Sequence, residues 1–195
     1  MKITWKDQDT DLVYPLMIEK KIDIFYQQIL GWQLHVADLI VNGGEPLGSG
    51  ARVECIDHSG FAVLQICLSY LETIGKYREL VKGEKQYGAI FRAGAQDVFP
   101  NLKKAPKKMV DALYYGARCG LYHNSRTARG VGLGQPPDGS AIAYDPVQQT
   151  LVLSPERLPK ALKSHLEGYR AELLDSDNVH QRQCFERQFD KDFGL

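Results

Sequence analysis

The chain has 195 residues, 44% apolar and 25% charged, with 24 basic and 24 acidic side chains and therefore no formal net charge. That composition is the one expected of a soluble globular protein built on a single domain, residues 1–195. Its longest apolar runs, such as "AVLQICLSYL", are short, far from the roughly 18 to 20 residues a bilayer span requires.

The opening "MKITWKDQDTD" is polar and acidic, unlike a secretory signal, so a cytoplasmic location is expected. Cys55, Cys67, Cys119 and Cys184 are scattered without a CxxC pair or a histidine at zinc-ligand spacing. They read as reduced thiols, with no metal and no cofactor implied. Charge is unevenly spread: residues 101–130 carry seven bases against one acid, and residues 171–195 six acids against three bases. The basic block is where an anionic partner would be sought.

Pro15 suits the first turn of a helix, and Ile18, Ile22, Phe25, Ile29, Trp32, Val36 and Leu39 recur after it at spacings of three and four. One long amphipathic helix is predicted, stopped by "NGG" at 42–44. Residues 43–57 read as an extended connector. Ser59 is a plausible N-cap for a second helix with Phe61, Leu64, Leu68, Leu71 and Gly75 on one face, ending near Lys82 and Gly83.

A third helix is predicted over about 86–98, with Ile90, Phe91, Ala95 and Val98 inward and Pro100 closing it. A fourth follows Pro106 and aligns Val110, Leu113, Ala117 and Leu121. Four helices on short connections predict a bundle-like all-α core over about 15–125.

After the loop "RGVGLGQPPDGS" the period changes. Ile142–Tyr144 and Leu151–Leu153 read as a β-hairpin turned at Asp145 and Pro146, and Leu158, Leu162, Leu166, Tyr169 and Leu173 as a fifth helix. A hairpin alone is marginal, so it must pack on the helices. The tail from Asp175 carries Val179, Cys184, Phe185 and Phe189, which suits either a last helix on the bundle or an arm on a partner subunit. The hairpin and C-terminal helices together extend the core over about 140–193.

The densest chemistry lies in "YYGARCGLYHNSRTARGVGLG", residues 114–134. On a straight α-helix Arg118 and His123 stand about 140° apart, while Tyr114, Tyr115, Tyr122 and Ser125 fall within about 60° of Arg118. One rigid helix does not easily close both side chains on one small group. Either the helix loosens after Gly120, or two copies face each other across a twofold axis. In such a cleft the Arg118 fork would grip a phosphate and His123, titrating near neutrality, would move a proton. That pairing suits phosphodiester cleavage without a metal.

These residues resemble a known family. "RCGLYH", Arg118 to His123, fits the Arg-x4-6-His signature of the HEPN superfamily, helical proteins whose motif lies at a helix end in a cleft completed by a second protomer. The resemblance takes in "LSYLETIGKY" and the hairpin-plus-helix extension, and implies an all-α dominated, HEPN-like helical bundle with a small β-hairpin after the fourth helix.

It further implies a homodimer and a metal-independent endoribonuclease of the toxin–antitoxin or defence kind, with an antitoxin protein as a partner and Arg118 and His123 as the catalytic pair. Other members are inactive RNA-binding or protein-interaction modules. The position after the arginine, commonly polar in active members, is Cys119 here, which keeps that second reading open.

From proximity alone, Tyr114, Tyr122, Asn124, Arg126 and Arg129 are candidate binding residues, the tyrosines to stack bases of single-stranded RNA and the arginines to hold flanking phosphates. The glycine loop lacks GxGxxG spacing and a Gly-Lys-Ser/Thr, so it reads as a flexible connector over the cleft. His35, His58, His165 and His180 share no ligand spacing and read as structural or surface residues.

Overall fold

The computed structural model describes residues 2–5, 8–11, 15–46, 50–81, 86–128 and 130–194, the first two stretches as backbone only. Its central element is α3 (Gly60–Tyr77), in which Val63, Leu64, Cys67, Leu68, Tyr70, Leu71, Ile74 and Tyr77 are all buried. A helix apolar over most of its circumference must be covered by others on those faces. Here α1 (Ile18–Ile29), α2 (His35–Asn42), α4 (Tyr87–Val98), α7 (Leu158–Leu174) and α8 (Val179–Phe193) pack into one helical core with it.

The α3–α4 contact is the closest of these. A Cβ on Gly94 would fall onto the Leu71 carbonyl oxygen and against the Gly75 backbone, so the two helices touch main chain to main chain. Only glycine permits that approach.

The first predicted helix is continuous but not uniform. Its stripe holds through Ile22, Phe25 and Ile29, after which Leu30–Leu34 widens into a π-helical turn before α2. The wider turn shifts the phase, so Leu34 and Ala37 face the core while Trp32 is 58% exposed and Val36 reaches the surface. The expected inward positions Trp32 and Val36 are thereby corrected.

Two further expectations on α3 change. It ends at Tyr77, short of the expected Lys82 and Gly83, which lie outside the described residues; Glu79 turns the chain at a φ of 48°. Phe61 is exposed, and Ser59 makes no capping bond but lies 3.5 Å from the Ile40 carbonyl.

α4 follows its predicted span, closed by Pro100, which starts a short 3-10 turn, Pro100–Lys104. The fourth predicted helix forms a rod in three parts: α5 (Lys107–Ala112), a π-helical segment (Leu113–Cys119) and α6 (Gly120–Asn124). Val110, Leu113, Ala117 and Leu121 are buried along it as their spacing predicts.

The N-terminal stretch, read from sequence only as polar, forms an antiparallel pair of β1 (Lys2–Trp5) and β2 (Gln8–Asp11). The second sheet has order β3-β5-β4, with β3 (Val131–Leu133), β4 (Ile142–Asp145) and β5 (Thr150–Leu153). β4 and β5 are the predicted hairpin. Its turn is held by Asp145 Oδ1, which accepts from the Val147 and Gln148 N–H groups.

β3 was not expected. Part of the supposed connector, Val131–Leu133 pairs in parallel with β5, because Val131 and Leu151 are apolar and the intervening chain is long enough for a crossover. The sheet packs on the helical core through Val131, Ile142, Leu151 and Leu153.

The predicted stripe of α7, Leu158, Leu162, Leu166, Tyr169 and Leu173, is buried throughout. α8 packs on this chain's own α1, α3 and α7. Phe185 meets the Phe25 ring edge-on at 5.5 Å and the Tyr77 ring at 5.6 Å, and Phe189 follows at 5.8 Å. Lys21 is buried beneath it, its ammonium 2.7 Å from both Glu186 and Asp190. Among the described apolar residues of the tail, only Val179 is exposed.

Candidate functional site

The rod from Lys107 to Asn124 presents the motif. Its π-helical segment makes residues five apart neighbours, which sets Tyr114 against Cys119. Burial raises the Tyr114 phenol above its ordinary value, and the adjacent Cys119 pushes the same way. Tyr114 is half-buried, its ring 5.4 Å from Phe91 and 5.0 Å from Tyr115.

A loosening of the helix after Gly120, one of the two arrangements considered, does not occur. The departure from α-geometry lies before it, and α6 runs on regularly to Asn124, where Ser125 turns left-handed at a φ of 54°. Gly120 has a different task. The returning chain lays the Arg126 carbonyl oxygen 2.8 Å from where a Cβ would sit, and the Ala128 N–H donates to the Gly116 carbonyl at 2.8 Å.

Arg118 points back at α3. Its Nη2 donates to Glu72 Oε2 at 3.0 Å, while Lys76 Nζ lies 2.9 Å from Glu72 Oε1. The Glu72 side chain is 10% exposed and the two cations 32% and 33%, so a sheltered carboxylate is shared between two bases that reach solvent. Arg118 also lies over the Tyr122 ring, 5.7 Å from its centroid, and Lys76 over Tyr87 at 5.5 Å.

Between α3 and the rod opens a groove of about 350 Å³, walled by Gln65, Ser69, Glu72, Thr73, Lys76, Arg118 and Tyr122 over a floor at Leu68. One anion against two cations leaves it a formal charge of +1. Arg118 has five N–H donors, and those not given to Glu72 remain for a ligand.

Arg118 and Tyr122 therefore meet in the groove. His123 stands exposed on the last turn of α6, edge-on to Tyr122 with ring centroids 5.1 Å apart, so Tyr122 touches both motif residues. Asn124 and Arg126 are exposed just beyond, and Arg129 lies outside the described residues. Among the described residues no three His, Cys, Asp or Glu side chains group as metal ligands, and no helix is long and apolar enough to cross a membrane.

The α3 wall was missed in the sequence. Its signal was present as a polar stripe, Gln65, Ser69, Glu72 or Thr73, and Lys76, running at three-four spacing down an otherwise apolar helix. His165, read as structural, joins three helices: its Nδ1 is 2.8 Å from the Tyr70 hydroxyl and its Nε2 3.3 Å from Asp97, which Arg78 also holds.

Comparison with known proteins finds no matching family model, no matching curated protein and no matching solved structure.

Proposed function

We propose that the chain is a HEPN-like, metal-independent endoribonuclease that works as a homodimer in the cytoplasm, cutting single-stranded RNA with Arg118 and His123. The observation that carries this reading is the Tyr122 ring, against which the groove-lining Arg118 and the exposed His123 both lie. A base stacked on that exposed phenol would set its phosphate beside a guanidinium and an imidazole.

His123 would take the proton of the ribose 2′-hydroxyl as that oxygen bonds to phosphorus, and a proton would be returned to the 5′-oxygen as its bond to phosphorus breaks. Arg118 would hold the charge that builds on the phosphoryl oxygens between. With one imidazole from each protomer, base and acid would be separate groups. Such an activity suits a toxin held in check by an antitoxin protein.

A second reading is a non-catalytic RNA-binding or protein-interaction module of the same kind. It is favoured by Glu72, which already occupies one edge of Arg118, and by Cys119, whose neighbour is Tyr114.

Incubation of the purified protein with single-stranded RNA in EDTA, beside Arg118→Ala and His123→Ala, separates the two. The endoribonuclease reading expects cleavage in EDTA that falls at least about 100-fold in each variant, in line with loss of a general acid–base group. Intact RNA in every condition, or equal cleavage by all three proteins, refutes it. RNA bound but uncut, with binding lost in Arg118→Ala, selects the second.

A further inference from the structure

Far from the groove, at the other end of the same rod, four lysines crowd six positions. Lys103 and Lys104 end the 3-10 turn, and Lys107 and Lys108 begin α5. All four are exposed, and among the described residues none is within ion-pair distance of a carboxylate. Of the acids nearest in sequence, Asp111 pairs with Arg92 at 3.0 Å, and Asp97 pairs with Arg78 and His165 while Lys103 acts on it from farther off.

The backbone that carries these lysines is pinned. Leu102, Met109 and Val110 are buried, and Asn101 Nδ2 donates to the Ile142 carbonyl of β4 at 2.8 Å. The charges therefore sit on a fixed corner.

That corner is linked to the site. The chain leaving α6 doubles back along the rod, with Arg126 beside Gly120, Ala128 bonded to Gly116 and Gly130 against Ala112. Lys107 and Lys108 begin the rod that carries Arg118 toward its other end. Lys107 and Arg118 are eleven residues apart, roughly 16 Å along a helix. A nucleic-acid strand covers that span in about five nucleotides at roughly 3.4 Å each.

We infer that the lysine corner is an exosite for the sugar–phosphate backbone of single-stranded RNA, holding the strand about five nucleotides from the groove. The inference rests on the RNA reading above. A polyanion suits the corner better than an acidic protein does. No large apolar side chain is exposed between Pro100 and Ala112 to anchor a protein interface, whereas phosphate binding needs only placed charges.

The test uses fluorescein-labelled 2′-O-methyl RNA of 12 and 4 nucleotides, which 2′-hydroxyl attack cannot cut. Anisotropy titrations from 50 to 200 mM salt compare the wild type, the triple variant Lys104→Gln, Lys107→Gln, Lys108→Gln, and Arg118→Ala. Thermal melting verifies that each is folded.

The exosite expects the triple variant to lose about 10- to 100-fold on the 12-mer at 0.1 M salt. Its log K against log[salt] slope should flatten by up to about 2, since each single-strand phosphate contact contributes about 0.7. Binding of the 4-mer should be unchanged. A triple variant that binds the 12-mer with wild-type affinity and slope overturns the exosite, whatever Arg118→Ala does.

If the triple variant loses binding while Arg118→Ala binds both oligonucleotides normally, the exosite stands and the groove reading falls. A wild type that binds neither overturns both. Displacement of the 12-mer by poly-glutamate of equal charge, as effectively as by unlabelled 12-mer, marks an acidic-protein surface and overturns the exosite.

Discussion

Glu72→Gln tests how the groove is tuned. In the native protein the carboxylate takes one Arg118 N–H and the Lys76 ammonium, and an incoming phosphate must share Arg118 with it. Glutamine keeps the shape and an acceptor for Arg118 but removes the negative charge. For a phosphate docked on the free edge of Arg118, about 6 Å from the carboxylate at an effective dielectric of about 40, the repulsion removed is about 1.4 kcal/mol.

Affinity for a short RNA should then rise about tenfold. Both cations are about one-third exposed, so solvent already screens their pairs with Glu72, and the stability lost should be only about 1 kcal/mol. Anisotropy with a 4-nucleotide RNA at 0.1 M salt reads the first quantity and urea unfolding the second. Unchanged or weaker binding by a folded Glu72→Gln protein would refute the reasoning, because it would make Glu72 a support for Arg118 and not its competitor.

Gly94→Ala should destabilise the protein by at least about 3 kcal/mol in urea unfolding, because the new methyl meets main chain at Leu71 that no rotamer can move. Asp97 governs part of the acid limb of stability: burial alone would raise its carboxyl, but His165, Arg78 and Lys103 outweigh that and hold it below its ordinary value. Its contribution is therefore complete above the unfolded value of about 4 and lost as pH falls through the lowered folded one, so Asp97→Asn should flatten the melting temperature's fall in that range.

Thiol titration should find Cys55 reactive in the native state and Cys67 silent until denaturant is added, since Cys55 is exposed whereas burial pushes the Cys67 thiol up to about 12.

How far the fold could be read beforehand depended on whether local period and tertiary demand agreed. In α7 they agree, and Leu158 through Leu173 face inward as their spacing requires. In the first helix a five-residue π-helical turn shifts the phase beyond Ile29, and a 3.6-residue period cannot register such a turn. Val131–Leu133 went unread as a strand because its partner is β5, some twenty residues on, and parallel pairing leaves no hairpin signature. Tertiary charge was equally invisible: Lys21 reads as a solvated lysine until α8 brings Glu186 and Asp190 over it.

The site divides along the same line. Arg118 and Tyr122, which line the groove, and the neighbouring candidate His123 could be singled out because one short stretch holds them all. Glu72 and its partner Lys76 could not, because Glu72 meets Arg118 across 46 positions and only the packing of α3 against the rod brings them together. That packing needs Leu113 and Ala117 turned to the core while Arg118 turns to Glu72.

A regular α-helix would place Tyr114 and Cys119 about 140° apart, on different faces; the π-helical segment puts them in contact. The irregularity thus leaves the buried stripe of the rod in place and gives the position after Arg118 its partner. On the endoribonuclease reading proposed above, a polar contact that Cys119 does not give would have to come from another side chain, and Ser69, Thr73 and Lys76 are polar groups that line the groove.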